Sequence, residues 1–558
     1  MTAILLGGVA CSSSDPEDPN ATPGGGGGGD VTEINGTKID PNNNLIGLIS
    51  DASTGKGIPG VPVTDGYSFT QTDANGVYQF EANRYCRNVY YTTPSNYKVA
   101  LSQSKTPAFY STKTIDRYAV NRNDFVLEPL ESEEKDFTLV MISDPQCQSD
   151  THVERFKTET MMDIRSAISG SGYGNVYAVT LGDVIYDNQA QWEPMVNALS
   201  NVSIGTDKYL PVFNCIGNHD HNNAGVSEYT ATQSYVDHFG PTDYSFNRGE
   251  AHIVVMDNIM YLKSTSGATY NACEYTQGFT KQQYEWLKAD LDLVENKAEK
   301  LLIFCAHAPF RNGSSVNVNK DKYYGEFLQL FSQFKEAHIM IGHTHYPENY
   351  IHTGYVCKGG KPIYEHVHAA ASGGFWWSDL CTDGSPNGYG IYTVEGASIT
   401  DWVAKSTGRT EATQLRAYDG NMKYTGSKSE NYAWESMFKD CFIATVWNDD
   451  KVNWKVEFIP KGGAPIEMKR VTSGQRDWCA YSFLINEAGR SKTNTSYHKQ
   501  LLHYWYVKAP SGSPSTEPDG WEIRATQTIP TSGKTHVYSV TQLQDHQTDP
   551  YTGFGAGH

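Results

Sequence analysis

The chain has 558 residues, 39% hydrophobic and 19% charged, with a formal net charge of -19. Its length predicts about three or four domains, and no run nears the ~18 apolar residues of a membrane span. No Lys/Arg cluster forms the basic stripe that grips long nucleic acid, so a genomic-DNA role is disfavoured.

The N-terminus reads Ile4-Leu-Leu-Gly-Gly-Val-Ala10, then Cys11 and a Ser/Asp/Glu tract. This resembles a bacterial lipoprotein signal. The resemblance implies a lipid anchor on Cys11 and an outer-membrane or cell-surface location, otherwise a periplasmic or secreted one. Two features depart from the pattern: no Lys/Arg precedes the apolar run, and Gly8 stands where a larger residue is usual. The tract after Cys11 resembles surface-export signals of some Gram-negative bacteria. Residues 1–44 are expected to be leader and flexible linker, with the Gly24–Gly29 run unable to build a core.

Residues 45–130 alternate like short strands joined by Gly/Asn/Asp turns. With Asp73-x-Asn75-Gly76-x-Tyr78 at one turn, they resemble a carboxypeptidase-regulatory-like or transthyretin-like β-sandwich. No chemistry is expected of this module.

Five apolar runs follow between residues 136 and 404. Each ends on polar, metal-capable groups: Asp144-Pro-Gln146, Gly182-Asp183 with Asp187, Gly217-Asn-His-Asp220, His307, and Gly342-His-Thr-His345. Helix-like stretches lie between them at Val153 to Ser169, Gln189 to Ser200 and Thr280 to Glu295. Strands alternating with helices predict an α/β sheet, and such sheets place ligands at the carboxyl ends of their strands. Asp and Asn oxygens with imidazole nitrogens suit Mn, Fe or Zn. Any one of these segments alone is an ordinary turn; only the five together point to a metal site.

The set resembles the calcineurin-like metallophosphoesterase superfamily. The resemblance implies a core of two facing sheets with two divalent metal ions between them. One ion would take Asp144, Asp183 and His345, and the other Asp183, Asn218, His307 and His343, with Asp183 bridging. A metal-bridging hydroxide would attack phosphorus. His219 would serve the phosphoryl or leaving oxygen, oriented by Asp187. The family commonly has His where this chain has Gln146, so a weaker ligand is expected at the first metal.

Substrate contacts are expected from the rim: His221, Arg311, Tyr346, Trp376 and Trp377. Arg311 has the fork that fits a phosphate, and Trp376, Trp377 or Phe375 would stack on a sugar or base. The competing expectation for these aromatics is packing against the next domain. His338, His366 and His368, in apolar runs, are expected to be structural. Ten cysteines without CxxC pairs exclude a zinc ribbon and leave room for one or two disulfides. Cys215 and Cys305 are expected in the core.

Residues 405–558 read as a mostly-β domain that closes one side of the cleft. The overall expectation is therefore an α/β two-sheet sandwich core flanked by an N-terminal β-sandwich and a C-terminal mostly-β domain. The expected activity is hydrolysis of small or glycan-linked phosphate mono- or diesters outside the cytoplasm. The alternative is a surface protein of the same fold, weakened by Gln146, that binds a glycan or partner.

Overall fold

The computed structural model describes residues 31–170, 173–261, 275–312, 315–316, 322–425, 431–491 and 493–544. The Cys11 leader, the Gly24–Gly29 run and the chain end after Gln544 lie outside the described residues. Among the described residues, no helix is long and apolar enough to cross a membrane.

The core strands are β1 (Asp136–Ile142), β2 (Asn175–Thr180), β3 (Val212–Phe213), β4 (Tyr244–Arg248), β5 (Ala251–Val255), β6 (Leu301–Ala306), β7 (Glu336–Ile341), β8 (Glu348–Val356), β9 (Pro362–Val367), β10 (Gly388–Glu395) and β11 (Ser398–Ser406). They form two mixed sheets, ordered β3-β2-β1-β10-β11 and β4-β5-β6-β7-β9-β8. Pairing is parallel from β1 to β3 and along β5, β6, β7 and β9; antiparallel strands finish the edges. Parallel strands covered on both faces must be apolar throughout. β6, Leu-Leu-Ile-Phe-Cys-Ala, is buried at every position. Cys215 and Cys305 are fully buried, as expected.

The expected helix at 280–295 forms over Lys281–Asp292. Thr280 and Gln283 close a reciprocal capping box at its start, satisfying two backbone donors that the first turn leaves open. Its inner face buries Trp286, Leu287 and Leu291, each contributing about 1.5–3 kcal/mol of apolar transfer.

Within the stretch expected to be flexible linker, residues 33–38 form a strand pair. Glu33–Ile34 pairs with Thr37–Lys38, and Ile34 packs with Ile46 and Val77 of the following module. That small apolar contact orders a stretch whose composition looked loose. The module itself shares the core's interior: Phe109 lies 4.6 Å from Tyr244 between ring centroids, and Arg248 donates to the carbonyls of Pro94 and Tyr97. Beyond residue 405 stand two four-stranded antiparallel sheets, including a last strand, Thr535–Val540, not anticipated from sequence. The room that the cysteine count left for one or two disulfides is not used among the described residues, where all eight cysteines are free.

Candidate metal centre

Asp144 follows β1, Asp183 follows β2, Asn218 and His219 follow β3, His307 follows β6, and His343 and His345 follow β7. The polar strand ends of both sheets therefore meet at one rim. Two potential ligand groups form there, Asp144/Asp183/His345 and Asp183/His307/His343, with Asp183 common to both.

The backbone is bent to achieve this. Asp144, Gln146, Asp183, Asp187, His343 and His345 all have positive φ, at 47°, 45°, 52°, 58°, 69° and 64°. Left-handed conformations of non-glycine residues cost on the order of 1–3 kcal/mol each and gather where function requires them. The motif glycines admit close approach. A Cβ on Gly217 would stand 2.3 Å from Asp183 Oδ1, and one on Gly182, at φ +86°, 2.4 Å from His307 Nδ1.

Each ligand atom is aimed from behind. His307 Nδ1 donates to the Leu181 carbonyl at 2.7 Å, which leaves Nε2 as a lone pair. That Nε2 sits 3.0 Å from Asn218 Oδ1, 3.1 Å from His343 Nδ1 and 3.4 Å from Asp183 Oδ2. Asp183 Oδ1 accepts from the His219 backbone amide at 2.8 Å. Asp144 Oδ2 accepts from the His343 amide at 2.9 Å and from the Ser143 hydroxyl. His345 Nε2 lies 3.4 Å from Asp144 Oδ1 and 3.0 Å from the Gln146 amide.

This donor set fits divalent cations. Asp144 Oδ1 and Gln146 Oε1 are buried without a hydrogen-bond partner, a state that buried polar oxygens rarely tolerate. Lone-pair nitrogens and carboxylate oxygens crowd together where only a positive charge reconciles them. Protons take that role in part. Burial opposes a charged His307, yet the Asp183 carboxylate outweighs it and lifts its pKa to about 9. Burial and then His307 push His343 down to about 3. Burial opposes ionisation of Asp183 as well, but His307 and His219 hold it far below the usual carboxylate range. For Asp144, His345 overcomes burial in the same direction.

Three family profiles match the chain in succession. They are described as the N terminal of calcineurin-like phosphoesterase over residues 44–130, calcineurin-like phosphoesterase over 142–347, and the C terminal of calcineurin-like phosphoesterase over 365–529. The chain belongs to the calcineurin-like phosphoesterase family. No curated protein matches it. Among solved structures it is similar to purple acid phosphatase PPD1 from yellow lupin (Lupinus luteus) seeds, at 14% identity, covering 50% of this chain and 55% of that one, with a TM-score of 0.33. It is also similar to a 5'-nucleotidase from Candida albicans SC5314, at 14% identity, covering 48% of each chain, with a TM-score of 0.25. The chain thus spans about half the length of these structures. At such scores neither likeness bears on substrate.

Around this calcineurin-like centre the rim differs from expectation at two positions. Trp376 does not offer a face to substrate. It is 1% exposed, its Nε1 donates to the Pro145 carbonyl at 2.8 Å, and Arg155 and His152 flank its ring. His221 is fully buried and turned from the cleft toward Glu228 and Asp257. In both cases the local motif placed the residue near the site, but packing turned its side chain inward. Arg311 is ion-paired with Glu348 and lies over Tyr350, Tyr346 is half-buried, and Trp377 lies beneath the Arg490 guanidinium at 3.8 Å. Trp377 therefore contacts the C-terminal domain, as the competing expectation for these aromatics held. His338, His366 and His368 are buried and bonded to Glu336, to each other or to Tyr392.

Sequence reasoning missed several neighbours. Tyr186 stacks on His219 at 4.1 Å and 20°. Its position next to Asp187 was a usable signal. Gln277 places its amide 2.8 Å from His343 Nε2, and Tyr497 brings a C-terminal ring 5.7 Å from Phe375, which itself lies 4.7 Å from His345. Nothing local marks either residue.

Proposed function

We propose that the protein is a dinuclear-metal phosphoesterase that hydrolyses small or carbohydrate-linked phosphate esters outside the cytoplasm. One observation carries this reading: two ligand groups from facing sheets share Asp183, with Asp144 Oδ1 and Gln146 Oε1 buried beside them and lacking hydrogen-bond partners. Asp144, Asp183 and His345, with the Gln146 amide, would hold one cation; Asp183, Asn218, His307 and His343 would hold the second. Mn, Fe or Zn suits these donors and, when bound, supplies an acidified water and charge neutralisation at the phosphoryl group.

The remaining work falls to the chain. His219 Nδ1 donates to Asp187 Oδ1 at 3.0 Å, which leaves Nε2 to protonate the departing oxygen. Asp183, the larger influence after burial, and Asp187 raise the pKa of this imidazole, so it holds its proton nearer neutrality. Tyr186 packs against one face of the ring and restricts its rotation. Phe375 and Tyr497 form an aromatic edge beside His345 that suits the apolar face of a sugar. The resemblance of residues 4–11 to a lipoprotein signal supports the extracytoplasmic placement.

The test loads the metal-free full chain with Mn, Fe or Zn and follows p-nitrophenyl phosphate and its bis-ester. Near two catalytic metals per chain are expected, with hydrolysis abolished by Asp183→Ala, which removes the carboxylate common to both ligand groups. The ratio of kcat/KM on the two esters reads how many charges the rim balances. A protein that stays inert with every metal would leave only the glycan- or partner-binding alternative.

A further inference from the structure

On the far side of the Gly217–His221 turn stands a second constellation: His221, Glu228 and Asp257, whose ligand-capable atoms lie within 4.8 Å of one another. His221 Nε2 is 3.2 Å from Glu228 Oε1 and 3.5 Å from Asp257 Oδ2. Those separations distinguish it from the ordinary histidine–carboxylate bonds of this protein. His536–Asp401 is 2.6 Å, His352–Glu365 2.7 Å, His252–Asp290 2.8 Å, and His338–Glu336 3.0 Å, within or near the range of charge-assisted bonds. The longer spacing matches the catalytic centre, where His307–Asp183 and His345–Asp144 are each 3.4 Å. Two ligands about 2.0–2.1 Å from one ion at a tetrahedral angle are about 3.3 Å apart. Two other pairs are also long, His503–Asp383 at 3.6 Å and His238–Glu193 at 3.7 Å, but neither belongs to a three-ligand group among the described residues.

Each of the three side chains is also held from behind by the backbone. His221 Nδ1 donates to the Gly217 carbonyl at 2.9 Å, Asp257 Oδ1 accepts from the Ile259 amide at 2.8 Å, and Glu228 Oε2 accepts from the Tyr261 amide at 2.7 Å. That leaves one imidazole nitrogen and two carboxylate oxygens directed at a common point, the arrangement that outer partners give to metal-binding histidines. His221 is fully buried and the Asp257 side chain is 7% exposed, while that of Glu228 is 46% exposed, so the point opens to solvent on one side.

We propose that His221, Glu228 and Asp257 form a third, mononuclear cation site for a divalent ion of the Zn, Mn or Fe type, separate from the catalytic pair. Asp257 lies beyond β5 of one sheet, and His221 ends the turn that follows β3 of the other. A cation here staples the two sheets behind Asn218 and His219. It is a structural site that sets the position of the catalytic turn, and it does not depend on the dinuclear reading.

The experiment strips the full chain with chelator, reloads it with Zn2+ alone and counts bound zinc by mass spectrometry after dialysis. Three zinc ions per chain are expected in the wild type, and two in Asp257→Asn and in Glu228→Ala; the exposed Glu228 side chain makes the second variant the safer folder. Substituted Co2+ should show a visible band that both variants reduce. An equal zinc count in the wild type and both variants overturns the proposal, whatever that count is. One ion in the wild type, lost in both variants, upholds the third site while removing the catalytic pair.

Discussion

His219 and Asp187 form a fixed pair, with Nδ1 donating to Oδ1 across 3.0 Å and Asp187 held at a φ of 58°. The bond selects one tautomer and reserves Nε2 for the substrate. His219→Ala should lower kcat by about 10²–10⁴ on alkyl phosphate esters. The loss should be far smaller on nitrophenyl esters, whose leaving oxygen departs without a proton. Asp187→Asn should cost about tenfold, as expected for an outer partner. Equal losses on both ester types in His219→Ala would remove this residue from the leaving-group role.

Gln146 lies where an imidazole is usual, with its Nε2 3.0 Å from both Asp183 Oδ2 and His345 Nε2 and its Oε1 unpartnered. Gln146→His replaces a weak amide donor with a nitrogen that binds borderline cations well. Affinity for the more weakly held ion should rise about tenfold, read by competition with a chromogenic chelator. Unchanged affinity would place Gln146 outside the ligand set.

Stripping metal should destabilise the fold as well as abolish hydrolysis. The six positive-φ residues of the centre and its buried carboxylates would be held in place by the cations proposed for them. A cation at 100 times its Kd stabilises the native state by about 2.7 kcal/mol. Calorimetry should therefore show Tm rising with Mn or Zn concentration. A Tm indifferent to metal would mean the centre is fully organised without it.

Asp383 offers a test by pH away from the centre. Burial pushes its carboxyl up to about 7, only partly offset by bonds from Ser385, and Oδ2 has no hydrogen-bond partner. Its folded pKa exceeds its unfolded value near 3.8, so the native state binds the proton more tightly. This group's contribution is present in full below about pH 4, declines as pH rises to about 7 and is gone above. Asp383→Asn keeps the acceptor for Ser385 and cannot ionise. It should gain up to about 4 kcal/mol over wild type above pH 7, and nothing at pH 4. An equal difference at both pH values would show that Asp383 does not titrate in this window.

The centre was legible in the chain because its signals are local. An apolar run ending in Gly-Asn-His-Asp or Gly-His-Thr-His encodes both a buried strand and the polar group at its tip. A parallel sheet then carries all such tips to one edge without further instruction. The β modules were legible through turn residues and alternation, although Ile34 shows that a few apolar side chains can order what composition marks as linker.

Side-chain direction and long-range contact were decided by the tertiary structure. Trp376 and His221 sit in promising motifs, yet one packs under Arg155 and the other turns to Asp257, a residue from the opposite sheet. Gln277 reaches His343, and Tyr497 reaches Phe375 from another domain. The chain by itself determined which atoms are able to ligate and at which strand ends they stand, since that depends on residue type and short-range pattern. Which of them face one another depends on how two sheets and a third domain close, and on the desolvation and packing energies of that closure, which no single segment contains.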